Sequence, residues 1–318
     1  MPIDGQTEFD SFTEAFEEVA VIITRRGAQG TTWPLTEFFH DKTQESIDVI
    51  FDWLDPLVRN ALRRKTASSG SDATDGVFLD FLASSTDDVE HIRYELVTYL
   101  IASRDTTSSL ITFTLYLLSM NEDILGRLRA EIDDHIGSSE LPTYASIKAL
   151  KYLRAVLNET LRLFPSAPLI TRMSKGIPLV IPTASDKALY LPPSTQVMTL
   201  SLLLQRRHDL WGANADEFKP DRWLDDENTN ILNSNMFIYC PFSHGPRACI
   251  GQDFAINEAS YFLVRALQRF KTFHLSPQSQ PVGSLPPDEW KHGHGRQPKE
   301  KIRPGMSFTM EGCGCFLK

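Results

Sequence analysis

The sequence predicts a mainly α-helical fold with small β-sheets. Two observations carry this. Apolar residues recur every three or four positions over most of the 318-residue chain, while the Pro-rich, β-branched patterning of short strands is confined to one central stretch and the tail. A content of 42% hydrophobic and 23% charged residues reads as soluble and globular, with length enough for one large core or two ordinary domains.

The elements follow in order. Phe9, Phe12, Phe16, Val19 and Ile23 mark a first amphipathic helix, and Ile47, Ile50, Leu54, Leu57 and Ala61 a second. Pro56 is expected to kink the second helix, because proline removes a ladder hydrogen bond. The polar run Thr66 to Gly76 reads as a surface loop. A long helix then carries Ile92, Leu96, Tyr99, Ser103, Thr106, Leu110, Phe113 and Leu117 on one face, which turns polar halfway. Its uncharged stretch Thr106 to Asn121 is rich in Ser and Thr and follows Arg104 and Asp105, so it reads as a buried helix. Asn121 is placed to cap the next helix, with its stripe of Ile124, Leu128, Ile132 and Ile136, and Gly137 to end it. Leu150, Leu153, Leu157, Leu161 and Phe164 form another stripe, stopped by Pro165 and Pro168. Between Ile177 and Val197 the residues fit short strands and turns of a small sheet. A last helix carries Ile256, Ala259, Leu263, Ala266 and Phe270. The tail has six prolines between Pro277 and Pro304, then a hairpin expected through Met306 to Leu317 with Gly312 and Gly314 at its turn. With no internal repeat and no clear break, residues 1–318 read as one domain.

Several function classes fall away on bulk properties. A net charge of −9 argues against general nucleic-acid binding, which relies on a basic surface. Cys240, Cys249, Cys313 and Cys315 make neither a zinc pattern nor a disulfide framework, which favours a reducing compartment. The opening MPIDGQTEFD has neither a basic start nor an apolar run, and no stretch reaches ~18 uninterrupted apolar residues, so no membrane span is expected in this chain. The terminal Cys315 to Lys318 has the outline of a prenylation box, but lysine is a poor last residue.

The chemistry concentrates in the segment FSHGPRACIG. A lone cysteine such as Cys249 fits a small buried apolar side chain, a redox partner, a nucleophile or a metal ligand. Here it stands just before a helical pattern, where the helix dipole and free amides stabilise a thiolate, and Gly245 and Gly251 allow a tight turn and a close approach. Phe242, Gly245, Arg247, Cys249 and Gly251 together give FxxGxRxCxG, which resembles the cysteine-ligand loop of the cytochrome P450 family. Three further segments occur in that family's order: ASRDTT, ETLR and FKPDRW.

The resemblance implies the cytochrome P450 fold and a set of roles. Cys249 would be the axial thiolate of haem b, with Phe242 and Gly251 beside the cofactor and Arg247 and Arg172 as partners for its propionates. Glu159 and Arg162 of ETLR would join Arg222 in a buried structural triad; without it, an i,i+3 pair on a helix surface contributes only ~0.2–0.5 kcal/mol. Thr106 and Asp105 would manage oxygen and protons, in a helix groove loosened by Ser and Thr back-bonding. Ser103 stands where the family usually has glycine, so its hydroxymethyl is expected to narrow that groove. Ala167, Pro168, Leu169 and Ile170 would line the substrate pocket. Outside the motifs, His292 and His294 read as part of a Gly-rich loop, Cys240 as core, and Arg63, Arg64 and Lys65 as a solvated helix end.

The implied activity is haem-thiolate monooxygenation of an apolar small molecule by O2, with electrons from NADPH through a cytochrome P450 reductase. The Asp105 and Thr106 pair counts against an isomerase or dehydratase variant. The segments between the motifs resemble fungal microsomal members that hydroxylate alkanes and fatty acids, whose full-length forms are anchored in the endoplasmic reticulum membrane. By the same resemblance the chain corresponds to the C-terminal two-thirds of the family's length, lacking its N-terminal anchor and first helices and sheet. The alternative is a truncated, non-catalytic relative that cannot hold haem.

Overall fold

The computed structural model of the chain describes residues 4–67, 78–183, 187–225, 235–276, 278, 280, 282–306 and 309–311. Two compact units divide at Arg104 and Asp105.

The first unit is built from α1 (Asp4–Gln29), α2 (Gln44–Ala67), α3 (Phe78–Ser85) and the first half of α4 (Val89–Ser119). Its core sets Phe12, Phe16 and Val19 of α1 with Ile50 and Leu54 of α2. Two residues of the expected stripes lie elsewhere. Phe9 stays 53% exposed with its ring stacked on Phe12, and Leu57 is 42% exposed while Val58 is fully buried. The step of four from Leu54 reaches Val58, which keeps the face; Leu57 falls beside it. Helix α2 runs on through Pro56 to Ala67. The basic cluster at its end is exposed at Arg63, while Arg64 pairs with Asp80 at 2.5 Å and Lys65 with Asp87 at 2.8 Å. The polar run beyond Ala67, through Gly76, lies outside the described residues.

In the second unit the core gathers Phe113 and Leu117 of α4, Leu128 and Ile132 of α5 (Glu122–His135), Val156, Leu157 and Leu161 of α7 (Lys151–Leu163), and Leu263 and Val264 of α10 (Gln252–Arg269). The short α6 (Tyr144–Ala149) opens with a capping box between Thr143 and Ser146. Asn121 occupies the N-cap position of α5, but its side-chain amide donates back to the Leu117 carbonyl at 2.7 Å instead of capping. Gly137 follows α5 with φ of 98°, the left-handed turn glycine permits, and its amide donates to the Ile132 carbonyl. On α10 the buried face is Ile256, Ala259, Leu263, Val264 and Leu267; Phe270 lies past the last turn, in extended backbone, and is 53% exposed.

Among the described residues the strands form three antiparallel pairs. β1 (Leu169–Met173) pairs with β4 (Gln196–Leu200), with Arg172 opposite Val197, and β2 (Leu179–Ile181) pairs with β3 (Leu189–Leu191). Two single-turn helices follow β4, α8 (Ser201–Leu204) and α9 (His208–Trp211). In the tail, β5 (Gly305–Met306) pairs with β6 (Met310–Glu311), so the chain reverses between Met306 and Met310, ahead of the expected turn. Gly312 and Gly314 lie outside the described residues, as do Cys313 and Cys315. The Pro-rich stretch before this pair is pinned to the core. Arg296 donates to Glu300 at 2.7 Å and to the Asp216 carbonyl at 2.7 Å, and the Tyr116 hydroxyl donates to Glu300 at 2.7 Å. Among the described residues no helix is long and apolar enough to cross a membrane.

Candidate functional site

Helix α7 is the frame on which the site is built: ten of its thirteen residues are buried, with Lys151 and Arg154 left exposed. A helix in that position must find partners for its terminal amides and carbonyls within the protein. Glu131 of α5 accepts from the amides of Tyr152 and Leu153 at 2.7 and 2.9 Å. At the other end the Gln205 side-chain amide donates to the carbonyls of Leu161 and Arg162 at 3.0 and 3.2 Å, and Arg206 donates from Nε to Leu163 at 2.9 Å.

Inside this frame Glu159 and Arg162 are both fully buried, and Arg222 is 4% exposed. The Glu159 carboxylate accepts from Arg162 Nε and Nη2 at 2.9 Å each, from Arg222 Nε and the Lys219 amide at 3.0 Å, and from Trp223 Nε1 at 3.0 Å. The remaining Arg162 donors go to the carbonyls of Gln205, Ala215 and Glu217 at 2.9, 2.7 and 3.0 Å. All five guanidinium N–H groups of Arg162 are therefore used, the condition under which a buried ion pair is tolerable. Burial pushes the Glu159 carboxyl up, but the hydrogen bonds and charges of Arg162 and Arg222 outweigh it and hold it below the usual carboxylate range.

Gln205 carries this frame to the cysteine loop. It is fully buried, and its Oε1 accepts from the Cys240 amide at 3.0 Å. From there the loop is held by its own backbone: Ser243 N donates to the Cys240 carbonyl at 3.1 Å, and Cys249 N to the Phe242 carbonyl at 2.9 Å. Ser243 and Gly245 both adopt left-handed backbone, with φ of 60° and 74°. Cys249 is exposed, two residues ahead of Gly251, the N-cap of α10. A side chain at Gly251 would begin 3.9 Å from Cys249 Sγ, so glycine leaves the space beside the sulfur open. Phe242 is half-buried and packs on the main core, and Arg247 is exposed at the end of the 3-10 turn Gly245–Arg247.

Arg172 meets the same loop from β1. Its Nη2 donates to Ser243 Oγ at 3.4 Å, and its Nη1 to the Thr171 carbonyl at 2.9 Å. Ile170, Arg172, Phe237, Cys240, Ser243 and His244 are among the residues lining a cavity of about 580 Å³. Cys240 is buried, and that burial pushes its thiol up, as suits a core residue. Asp105 and Thr106 lie midway along α4, and the Thr106 carbonyl accepts from the Ser166 hydroxyl at 2.9 Å, in the turn that leads into β1. Beside them the Thr107 hydroxyl is buried with no hydrogen-bond partner among the described residues. Ser166 thus ties the Thr106 carbonyl to the turn before β1, and Arg172 of β1 contacts Ser243 in the cysteine loop. Ala167 is half-buried and Pro168 buried in that turn, Leu169 is 38% exposed, and His292 and His294 are exposed far along the tail.

A family model for cytochrome P450 matches residues 2–300. The chain belongs to the cytochrome P450 family. It is 34% identical over 277 residues to cytochrome P450 52E2 of Candida apicola, covering 85% of this chain and 52% of that protein. It is 33% identical over 286 residues to cytochrome P450 monooxygenase g430 of a Fusarium species, covering 86% and 48%. Cytochrome P450 52A5 of Candida maltosa is 34% identical over 300 residues, covering 91% and 54%. The chain spans about half the length of the curated relatives it matches.

The residues present fit the P450 cofactor. Haem needs a soft axial donor, apolar surface and cationic partners for its carboxylates. Cys249 is exposed at a helix start, Ile250 and Phe254 next to it are 84% and 64% exposed, and the Arg172 guanidinium reaches the same loop. The unpartnered Thr107 hydroxyl fits a site that accepts a small polar molecule. Three residues that matter were not singled out in the sequence, Gln205, Ser166 and Glu131. None belongs to a motif; Ser166 lies four residues after ETLR, and Gln205 falls between ETLR and FKPDRW.

Proposed function

We propose that residues 1–318 form a single haem-binding domain of a monooxygenase, with Cys249 as the residue that would hold the haem iron. The reaction is R–H + O2 + NADPH + H⁺ → R–OH + H2O + NADP⁺, on an apolar substrate, with the two electrons delivered by a cytochrome P450 reductase. The observation that carries it is the exposed Cys249, its amide bonded to the Phe242 carbonyl, directly ahead of an 18-residue helix and on a loop that Arg172 also contacts. Haem held by Cys249 at this position would supply the one-electron and oxygen chemistry.

The chain's own residues do the rest. Arg172 and Arg247 pair with the cofactor's carboxylates and fix its orientation. Ala167, Pro168, Leu169 and Ile170 present apolar surface to the substrate and exclude water. Asp105 holds a proton for delivery and the Thr106 hydroxyl orients it, in the stretch of α4 that the sequence enriches in Ser and Thr. Glu159, Arg162, Arg222 and Gln205 keep the loop in place and touch no reactant.

The test is a carbon monoxide difference spectrum of the reduced, purified chain. A thiolate-type Soret band that disappears in Cys249→Ser is expected. No haem uptake sinks the proposal for this chain and leaves the second reading, a relative that keeps the loop but holds no cofactor, which the exposure of Cys249 and Ile250 also fits.

A further inference from the structure

Three segments far apart in the sequence meet in a closed ring of hydrogen bonds in the second unit. The Ser166 hydroxyl donates to the Thr106 carbonyl at 2.9 Å. The Ser166 carbonyl accepts from the Met310 amide at 2.9 Å. The Met310 carbonyl accepts from the Ser109 hydroxyl at 2.5 Å, and Ser109 lies on α4 three residues beyond Thr106, which closes the ring. Ser166, Ser109 and Met310 are 7%, 5% and 4% exposed.

A helical Ser or Thr commonly bonds back to the carbonyl four residues earlier, as Thr114 does to Leu110 at 2.7 Å. Ser109 instead reaches out of α4 to the strand β6, and Ser166 reaches into α4 from the turn before β1. Two external bonds on one turn of a helix fix both its rotation and its height. Buried and fully satisfied, such a ring is rigid, and losing one member strands its neighbours. The turn it fixes is the one that holds Asp105 and Thr106.

We propose that Ser166 is a positioning residue for Asp105 and Thr106: its hydroxyl, held by Met310 and Ser109, sets the α4 turn on which delivery of protons to oxygen depends. The proposal rests on the monooxygenase function proposed above. When that turn is misplaced, reducing equivalents leave by the side reaction O2 + NADPH + H⁺ → H2O2 + NADP⁺. Ser166 touches no reactant and acts only through the Thr106 backbone.

The first test needs no cofactor. Hydrogen–deuterium exchange at the Leu110 to Thr114 amides of the haem-free full chain should quicken about tenfold in Ser166→Ala, the effect expected of one buried hydrogen bond. Exchange in α7 and α10 should stay as in wild type. Ser109→Ala should reproduce the change and Ser166→Thr, which keeps the hydroxyl, should reverse it. The second test uses the haem-loaded chain with reductase and dodecanoic acid as probe. The peroxide released per NADPH consumed should at least double in Ser166→Ala and return in Ser166→Thr, with the thiolate-type Soret band intact. Unchanged exchange in Ser166→Ala overturns the proposal. So does an unchanged peroxide yield while Thr106→Ala raises it, in which case the oxygen-handling role of Thr106 survives alone. If Thr106→Ala leaves the yield unchanged, that role itself falls and Ser166 has nothing to position.

Discussion

Replacing Gln205 by methionine keeps the length and volume of the side chain and removes every polar contact it makes. Its Nε2 donates to the carbonyls of Leu161 and Arg162 at 3.0 and 3.2 Å, and its Oε1 accepts from the Cys240 amide at 3.0 Å. Gln205 is fully buried, so the variant leaves one amide and two carbonyls facing a thioether in a dry interior. A stranded buried donor costs about 1–3 kcal/mol, and carbonyls tolerate the loss better, so the sum is about 2–4 kcal/mol. Urea unfolding of the variant should show a midpoint lowered accordingly with an unchanged slope. The second readout is local. The Cys240 carbonyl holds Ser243, and Ser243 opens the turn that ends at Cys249, so the reduced carbon monoxide complex should shift part of its intensity from the thiolate-type to the neutral-thiol-type Soret band. A variant within about 0.5 kcal/mol of wild type, with its thiolate band intact, would refute the reasoning: Gln205 would then be a space filler and the loop independent of α7.

The remaining predictions use the same frame. Glu131→Ala removes two acceptors from the start of α7 and should lower the unfolding free energy by about 1–2 kcal/mol, the usual cost of a lost N-terminal cap, read by urea titration. Glu159→Gln breaks a buried pair and should cost about 3–5 kcal/mol near neutral pH. Because the folded Glu159 carboxyl lies below its unfolded value of 4.5, its stabilisation is full above that pH and is lost as pH falls through the folded value. The gap between wild type and Glu159→Gln should therefore narrow as pH falls below 4.5; a gap independent of pH means that Glu159 is not ionised in the fold. Thr107→Val replaces a buried, unpartnered hydroxyl with a methyl and should raise the Tm of the haem-free chain, by the equivalent of about 1 kcal/mol. A lowered Tm would show that the hydroxyl has a partner in solution.

What the sequence made legible was local or was carried by motifs. Helix positions followed from apolar spacing, since burial of one face has a period that reads directly; errors fell at stripe ends, at Phe9 and Phe270, and at Leu57, where the step of four to Val58 keeps the face. The grouping of Glu159, Arg162 and Arg222 came from resemblance to the cytochrome P450 family, and the structure places the three in one buried cluster. Gln205, Ser166 and Glu131 were invisible for a different reason. Each serves backbone groups of a distant segment, and a backbone carbonyl or amide leaves no mark in the sequence. The capping role expected of Asn121 failed on the same ground: its amide had a nearer carbonyl available, at Leu117.

The cysteine loop is not a conformation its own residues prefer. Ser243 sits at φ of 60°, a region that costs a non-glycine residue of order 1 kcal/mol or more, and Gly245 at 74° takes the next left-handed position. Inside the loop only a few backbone bonds oppose this, among them Ser243 to Cys240 and Cys249 to Phe242. The balance has to come from outside. It is supplied at the entry by Gln205 on the Cys240 amide, at Ser243 by the Arg172 guanidinium, and at the exit by α10, whose buried face runs from Ile256 to Leu267. Gln205 is in turn held by Arg162, which donates to its backbone carbonyl, and Arg162 by Glu159. A fully satisfied buried charge pair contributes little net stability compared with an apolar replacement of the same shape. Its use here is positional: it fixes α7 and Gln205 closely enough for a strained, exposed loop to hold Cys249 in one place.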